Sequence, residues 1–323
     1  MAIKWLGRSP AAPIGVLIVV VVGLALAYWY VDSTRLRRAR RHLTQERASY
    51  APAEIIELGR LPAEVSESSG LGISRSYPGA FWTHNDSGDA PRFYALDESA
   101  GLLATIDVQG VEARDWEAMA LGPCPHHSVR SCLYAGDIGD NLSLRDSVVV
   151  HVIEEPDPFA GDSTVSAIGS VRFVYPDGPH DAEGLAITGA GDLVVVTKER
   201  KQTTWLFQIP ARDVSAAIED ARVVTLGAGT QLPIHPDRAA VRYATGAALN
   251  ARGDYLAVRT YAEIYVFPWP LAADPRPIDE ACWIDNSDPQ GEAIAFRDDG
   301  WMVLTSETRT KRPGLLRAVR CFE

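Results

Sequence analysis

The sequence predicts an all-β protein, a five-bladed β-propeller, from two observations. The first is a short motif that recurs after residue 60, in which a carboxylate or hydroxyl residue opens a short apolar strand. Its copies are residues 67–71 (ESSGL), 115–120 (DWEAMA), 181–186 (DAEGLA), 245–249 (TGAAL) and 291–295 (GEAIA). The second is the spacing of 50, 66, 62 and 47 residues along Glu67, Glu117, Glu183, Thr245 and Glu292. That spacing is typical of one propeller blade per repeat.

Turn residues divide each repeat into strands. The predicted strands are 70–74, 80–85, 92–97 and 103–108 in unit one; 118–121, 132–138, 148–154 and 171–175 in unit two; 185–188, 193–198, 204–209 and 222–226 in unit three; 246–250, 255–261, 263–268 and 281–285 in unit four; and 293–297, 301–306 and 315–321 in unit five. The fifth unit is one strand short, and residues 54–61 (EIIELGRL) form a strand without a unit. We expect that strand to close the ring and to remove an exposed edge.

Two alternatives to five blades stay open. A sixth blade is possible if the long segments 155–170 or 210–242 contain strands. A pair of packed β-sandwich sheets is the other alternative, and it is disfavoured because the motif repeats in phase.

The N-terminal segment predicts a membrane anchor. Residues 9–31 contain no charged side chain, and the apolar run ends in residues 28–30 (YWY), placed like an interfacial belt. A basic start and residues 25–27 (ALA) also fit a cleaved signal peptide. The length near 20 residues favours the anchor. The predicted organisation is a transmembrane signal anchor over 1–31, a basic juxtamembrane linker over 32–53 and the propeller over 54–323.

Charge is distributed unevenly between these parts. Residues 1–45 hold seven of the 31 Lys and Arg and one of the 42 Asp and Glu, so 24 basic and 41 acidic residues remain, a net charge of −17. An acidic body argues against nucleic acid as a partner and suits cations. Solubility alone is a sufficient explanation for the acidity.

Two signals disagree about the orientation of the body. Five arginines follow the apolar run, and the positive-inside rule would keep the body in the cytoplasm. The even set of four cysteines suits disulfides in an oxidising compartment. We expect the body on the extracytoplasmic side, periplasmic or at the cell surface, because large domains translocate despite flanking charge.

The cysteine spacing favours a disulfide between Cys124 and Cys132, since residues 124–132 (CPHHSVRSC) match no standard zinc pattern. Cys282 and Cys321 would pair or remain buried thiols.

In a propeller, the start of each inner strand and the end of the next strand meet at one face. This places many acid and amide groups around one pore, which favours a hard divalent cation such as Ca²⁺. The ligand candidates are Glu67, Asn85, Asp86, Asp140, Asn141, Glu183 and Glu292. Glu117 or Glu199 would be a general base, and Arg259 or Lys198 an electrostatic clamp. Lys198, Arg259 and Arg145 would alternatively neutralise the acids as fixed salt bridges.

The sequence contains no Gly-x-Ser-x-Gly elbow, no phosphate-binding loop and no His-Glu-x-x-His motif. Two hypotheses for the function therefore remain. One is metal-dependent hydrolysis of a small phosphoester, ester or lactone. The other is a non-enzymatic propeller that binds a ligand or a protein and uses its metal structurally.

A set of motifs in this chain resembles a bacterial family of exported β-propellers of unassigned function. The motifs are residues 81–89 (FWTHNDSGD), 115–117 (DWE), 136–141 (GDIGDN), 181–184 (DAEG) and 259–261 (RTY), and the resemblance spans about residues 60–310. Residues 181–186 are also similar, more distantly, to phytase-like esterase propellers and to gluconolactonase-type calcium propellers. These resemblances imply a propeller with a calcium site at the pore face and hydrolysis of a phosphoester, ester or lactone. Thr245 departs from the acidic pattern, since the fourth motif offers no carboxylate.

Overall fold

Five sheets follow one another along the chain, one for each predicted blade. The structure is a computed structural model that describes residues 51–235, 242–284, 290–308 and 312–321. The first strand of each sheet lies innermost and contacts the first strand of the next sheet, and that of blade five contacts that of blade one. The ring is therefore closed, and the five-bladed propeller is confirmed.

The strands are numbered in chain order, and each blade runs from its inner to its outer strand. Two strands precede blade one: β1 (Ala51–Pro52) and β2 (Glu54–Arg60). Blade one contains β3 (Ser68–Ile73), β4 (Ala80–Asn85), β5 (Arg92–Asp97) and β6 (Leu102–Gln109). Blade two contains β7 (Trp116–Cys124), β8 (His127–Asp137) and β9 (Val148–Glu154), and, after the separate strand β10 (Ser163–Ser166), β11 (Gly169–Val174).

Blade three contains β12 (Ala182–Ile187), β13 (Leu193–Thr197) and β14 (Trp205–Ile209); after helix α1 (Ala211–Asp220) and strand β15 (Val223–Thr225) it ends in β16 (Thr230–Gln231). Blade four contains β17 (Ala244–Leu249), β18 (Tyr255–Thr260), β19 (Glu263–Pro268) and β20 (Cys282–Trp283). Blade five contains β21 (Gly291–Phe296), β22 (Met302–Ser306) and β23 (Leu315–Arg320).

The predicted closing strand is confirmed. β2 pairs antiparallel with β23, so the N-terminal strand completes blade five. A disulfide between Cys282 and Cys321 ties the outer strand of blade four to the end of β23. The predicted disulfide Cys124–Cys132 is also present and links the end of β7 to the middle of β8. Cys282 and Cys321 are thus paired rather than free.

The assignment of residues 222–226 to unit three as its fourth strand is wrong. That segment forms β15, which pairs in parallel with β11 on the edge of blade two, and β16 is the fourth strand of blade three. β10 covers the edge of blade one in the same way, and β1 that of blade four. The long segments that left a sixth blade open thus extend existing sheets, and such coverage shields the hydrogen-bonding edge of a sheet.

The inner strands carry glycine because they converge on the axis. A Cβ atom added at Gly184 would lie 2.9 Å from Cβ of Ala247 in the next blade, and one at Gly246 would lie 2.8 Å from the carbonyl oxygen of Glu292. Both distances are too short for a real side chain. The Glu-Gly and Thr-Gly pairs of the motif therefore have a steric cause that is independent of ligand binding.

Among the described residues, no helix is long and apolar enough to cross a membrane. The predicted anchor over 1–31 lies outside the described part of the chain, as does the linker up to residue 50.

Candidate metal centre

Every inner strand begins with a bulge, and this bulge positions the central side chain of each motif. The pairing register of the inner strand with its neighbour shifts between Trp116 and Ala118, between Ala182 and Gly184, and at the matching point of the other three blades. The residues within these shifts are Ser69, Glu117, Glu183, Thr245 and, in blade five, Glu292 with Ala293. A bulge leaves its extra residue out of the ladder and re-aims its side chain.

The bulges correct the alignment of the first repeat. Ser69, rather than Glu67, is the structural equivalent of Glu117 and Glu183. Glu67 precedes β3 and is exposed; partial burial of its carboxyl group raises the pKa of that group, and the nearby charges of Asp86 and Asp89 raise it further. Three bulge residues are therefore acids and two are hydroxyls.

The three bulge glutamates are almost fully buried, with 2–3% of their surface exposed. Burial raises the pKa of Glu117 and of Glu183 well above the ordinary value, and it raises that of Glu292 to about 8. The charge of Glu183 adds to the shift of Glu117, and the charge of Glu292 adds to that of Glu183. Like charges at close range in a poorly solvated site oppose one another's ionisation.

Lys198 supplies a buried positive charge to these glutamates. Its ammonium group donates a hydrogen bond to Oε1 of Glu183 and lies 5.4 Å from the centre of the Tyr261 ring. Burial alone lowers the pKa of Lys198, but the charges of Glu183, Tyr261, Glu292 and Glu117 outweigh burial and hold that pKa well above its ordinary value. The ammonium is therefore charged at neutral pH.

Four more carboxylates surround the bulge glutamates, and together the seven form what we call the acid cluster: Asp86, Asp115, Glu117, Asp181, Glu183, Glu292 and Glu307. Burial raises the pKa of Asp115 to about 6 and that of Glu307 to about 8, and it also raises that of Asp181. In each case a neighbouring carboxylate adds to the shift.

Two groups within the acid cluster have the spacing of a metal site. One oxygen atom from each of Asp86, Asp115 and Glu117 lies within 4.8 Å of the other two, and the same holds for Glu117, Asp181 and Glu183. The second group is entirely buried, and Oδ2 of Asp181 and Oε2 of Glu183 have no hydrogen-bond partner among the described residues. Unpartnered buried carboxylate oxygens are costly, and an all-oxygen donor set fits a hard cation such as Ca²⁺.

The structure brings some of the predicted ligands together and separates others. Asp86 belongs to the first carboxylate group and Glu183 to the second, and Glu292 lies beside Glu183. Asn85, Asp140 and Asn141 make other contacts. Asn85 bonds the backbone of Glu64 and Glu67; Asp140 accepts from the amides of Leu144 and Arg145 in a turn; exposed Asn141 accepts from Arg200.

The predicted catalytic residues are likewise divided. Glu117 is shared by both carboxylate groups, and Lys198 is bonded to Glu183. Arg259 is fully buried and donates to the carbonyl oxygens of Ala293 and Thr305, each at 2.7 Å, so it joins blade four to blade five. Glu199 accepts a hydrogen bond from Gln202 and lies 2.7 Å from Nδ1 of His180, outside both groups.

The sequence interpretation missed Asp115, Asp181 and Glu307 as site residues. A signal for the first two was present, because the pattern Asp-x-Glu occurs at 115–117 and at 181–183. Each Asp lies two residues before the bulge glutamate of its motif, and each belongs to a carboxylate group that contains Glu117. Glu307 follows β22, in the position that Asp86 takes after β4.

No protein-family model matches the sequence, and no curated protein matches it. Among solved structures, the fold is similar to the apo form of soluble aldose sugar dehydrogenase from Escherichia coli, with 12% identity, a TM-score of 0.49, and coverage of 84% of this chain and 100% of that one. It is also similar to the PQQ-bound aldose sugar dehydrogenase from Streptomyces coelicolor, with 12% identity, a TM-score of 0.46, and coverage of 84% and 99%. Similarity at this level does not bear on what this chain binds.

Proposed function

We propose that this protein is a propeller that binds a divalent cation, Ca²⁺, at the acidic end of its axis. The supporting observation is the pair of carboxylate groups that share Glu117, one of them buried and containing unpartnered oxygen atoms. Glu117, Asp181 and Glu183 would hold the ion, with Asp86 and Asp115 on the more exposed side. A bound divalent ion would supply the positive charge that the buried acids lack.

The arrangement favours a binding module over a hydrolase. In the predicted hydrolase, Glu117 or Glu199 would be the base, and Lys198 or Arg259 would be the cationic clamp that faces the substrate. The ammonium of Lys198 is bonded to Glu183, Arg259 holds two backbone carbonyls, and Glu199 contacts His180. Each predicted catalytic cation thus already has a structural partner. The ion would fix the inner strands and shape the acidic face, which would receive a small anionic ligand or a protein.

We also propose that the body is anchored by the N-terminal segment and lies outside the cytoplasm. Two disulfides that use all four cysteines support this proposal, because disulfides persist mainly in oxidising compartments.

The experiment is a calcium titration of the full-length chain in mild detergent after treatment with chelator. Ca²⁺ at about 100 times its Kd should stabilise the fold by about 2.7 kcal/mol, since a ligand that binds only the folded state stabilises it by mass action. Glu117→Gln should remove most of this increment and weaken binding in calorimetry, because both groups lose a shared ligand.

Glu57→Gln is the matched control, since Glu57 is exposed on β2, and it should bind Ca²⁺ like the parent. A melting temperature that responds to neither calcium nor chelator would mean that the acid cluster is stabilised by protons and Lys198 alone. Turnover on a panel of phosphomonoesters, aryl esters and lactones would contradict the binding module.

A further inference from the structure

A second polar site lies on blade two. A cleft of about 830 Å³, which we call the blade-two cleft, is bounded by the loop before β7, the turn between β8 and β9, one face of β9 and β11, and the residues before β15. No carboxylate of the acid cluster lines it. Its volume lies in the range of small-molecule sites.

Four arginines from four different segments line this cleft, although the chain as a whole has a net charge of −11. They are Arg114, Arg145, Arg172 and Arg222. A guanidinium group carries five N–H donors in a rigid planar array that matches phosphate and carboxylate oxygens. Convergence of four such groups provides many more donors than the surrounding protein accepts.

The hydrogen bonds and ion pairs of these arginines within the described residues leave donors free for a ligand. Arg145 is nine-tenths buried; its Nη1 atom lies 2.6 Å from Oδ1 of Asp137 and donates to the carbonyl of Gly139. Its Nε atom has no hydrogen-bond partner in the described part of the chain. Arg172 donates to the hydroxyl of Ser147 at 3.2 Å, and Arg222 pairs with Asp213 at 2.9 Å.

Arg114 is exposed, and no side-chain partner for it is found within residues 51–235, 242–284, 290–308 and 312–321. Its backbone amide donates to Asp137, which fixes the loop at this point. Its guanidinium group is therefore the most readily recruited of the four.

The wall formed by β9 and β11 adds hydroxyl and imidazole groups. His151 pairs with Ser170 across these strands, and Val149 pairs with Arg172, so all four side chains lie on the same face. Nδ1 of His151 lies 2.8 Å from Oγ of Ser170. The wall thus presents a serine, a histidine and an arginine in neighbouring positions.

Three carboxylates also line the cleft, and they do not cancel its donors. Asp137 is bound to Arg145 and to the backbone amides of Arg114 and Asp115. Glu112 and Asp146 are exposed, where water and salt screen their charges.

We propose that the blade-two cleft binds a small molecule that carries a phosphate group. A planar carboxylate is satisfied by one or two guanidinium groups, whereas a tetrahedral phosphate accepts hydrogen bonds from several directions. Arginines that enter from four segments match the second geometry. The cleft is large enough to receive the organic part of a phosphate monoester beside the anion.

The test uses the full-length chain in chelator, so that a cation at the acid cluster plays no part. Isothermal titration with inorganic phosphate and with glycerol phosphate should show saturable binding that weakens as salt is raised. The double variant Arg114→Gln with Arg172→Gln should bind at least about tenfold more weakly, because two of the three exposed guanidinium groups of the cleft are lost. An unchanged melting temperature of this variant would show that it is folded.

Arg276→Gln is the control, since Arg276 is 80% exposed in blade four and pairs only with Asp274 among the described residues, and it should bind phosphate normally. Succinate forms the carboxylate arm of the titration. Tighter binding of succinate than of phosphate would overturn the phosphate assignment. Absence of saturable phosphate binding at about 10 mM, or equal loss in the control, would overturn the site itself.

Discussion

At the scale of single residues, Lys198 occupies the position that a metal ion would compete for. Its ammonium is bonded to Glu183, and Glu183 also belongs to the buried carboxylate group with Glu117 and Asp181. The ammonium of Lys198 and a bound Ca²⁺ ion would thus share the carboxylate of Glu183. Lys198 stabilises the acid cluster when no metal ion is bound, and its positive charge opposes the binding of a metal ion there.

Lys198→Met should therefore strengthen calcium binding by about tenfold or more, because the competing charge is removed. In chelator the same variant should lose about 3–5 kcal/mol of unfolding free energy, since one partner of a buried ion pair is left alone. Calorimetry and chemical denaturation measure the two effects. Lys201→Met, an exposed neighbour, should change neither quantity. Calcium affinity that falls in Lys198→Met would show that the lysine supports the ion instead of competing with it.

The raised pKa values predict how stability depends on pH. The pKa values of Glu292 and Glu307 lie at about 8 in the folded chain against an ordinary 4.5. Between these values the folded state holds protons that the unfolded state has lost, so stability in chelator should fall as pH rises from about 4.5 to about 8. Calcium affinity should rise over the same range, because the ion binds the ionised form.

Melting curves in chelator across this range measure the effect. The double variant Glu292→Gln with Glu307→Gln cannot lose these protons, so its curve should be flatter than that of the parent. Identical slopes in the two proteins would mean that other groups carry the pH dependence.

The residue types at the pore face could be predicted, but their roles only in part. Glu117, Glu183 and Glu292 follow from the repeat, and all three are buried together. Asn85 and Asp140 have the same donor chemistry as metal ligands, yet they close turns by bonding backbone groups. At the end of a strand, an Asn or Asp side chain can either bind a metal ion or hydrogen-bond the backbone of a turn, and the conformation of the surrounding backbone determines which of these it does.

At the scale of elements, the bulge at the start of each inner strand gives the propeller a repeated means of aiming one side chain at the axis. The blades use this position differently. Blades two, three and five place a glutamate at this position, whereas blades one and four place the hydroxyl residues Ser69 and Thr245 there. The acid cluster consequently takes its acids from blades one, two, three and five and none from blade four.

The two disulfides should differ in their contribution to stability. Cys282–Cys321 encloses 39 residues and joins two blades, whereas Cys124–Cys132 encloses eight within one hairpin. Loop-closure entropy predicts a loss of about 4 kcal/mol for Cys282→Ser with Cys321→Ser, and of about 2.5 kcal/mol for Cys124→Ser with Cys132→Ser. Guanidinium denaturation of the two double variants provides the comparison. A larger loss for the hairpin disulfide would contradict the entropic explanation.

The arrangement of strands within blades was predictable because strand alternation and turn residues are local signals. The partner of an edge strand is not a local property. The sequence predicts β15 as the last strand of blade three, but β15 pairs with β11 of blade two. The segment 210–242 also contains helix α1, whose residues Val214 and Ala217 are buried. The sequence prediction considered only strands in this segment and missed the helix.

At the scale of the whole molecule, the two disulfides predict that the body lies outside the cytoplasm, although the five arginines after the apolar run favour the opposite orientation. A reporter fused after Glu323 that requires export should be active, and one that functions only in the cytoplasm should be inactive. Deletion of residues 9–31 should reverse both results, since the apolar run is the element that would direct export. Activity of the cytoplasmic reporter in the intact chain, or free thiols in protein taken from its native compartment, would contradict the prediction.

The closure of the ring also sets an order of events during synthesis. β2 is made before any blade, yet its partner β23 is the last strand, and the ion pair between Glu54 and Arg320 spans 266 residues. Blades one to four have their strand partners available as the chain emerges, whereas β2 must wait with an unpaired edge. Closure of so long a loop is slow. A ribosome that stops before residue 315 would release an open ring with unpaired edges at both ends, a product suited to capture by chaperones and proteases.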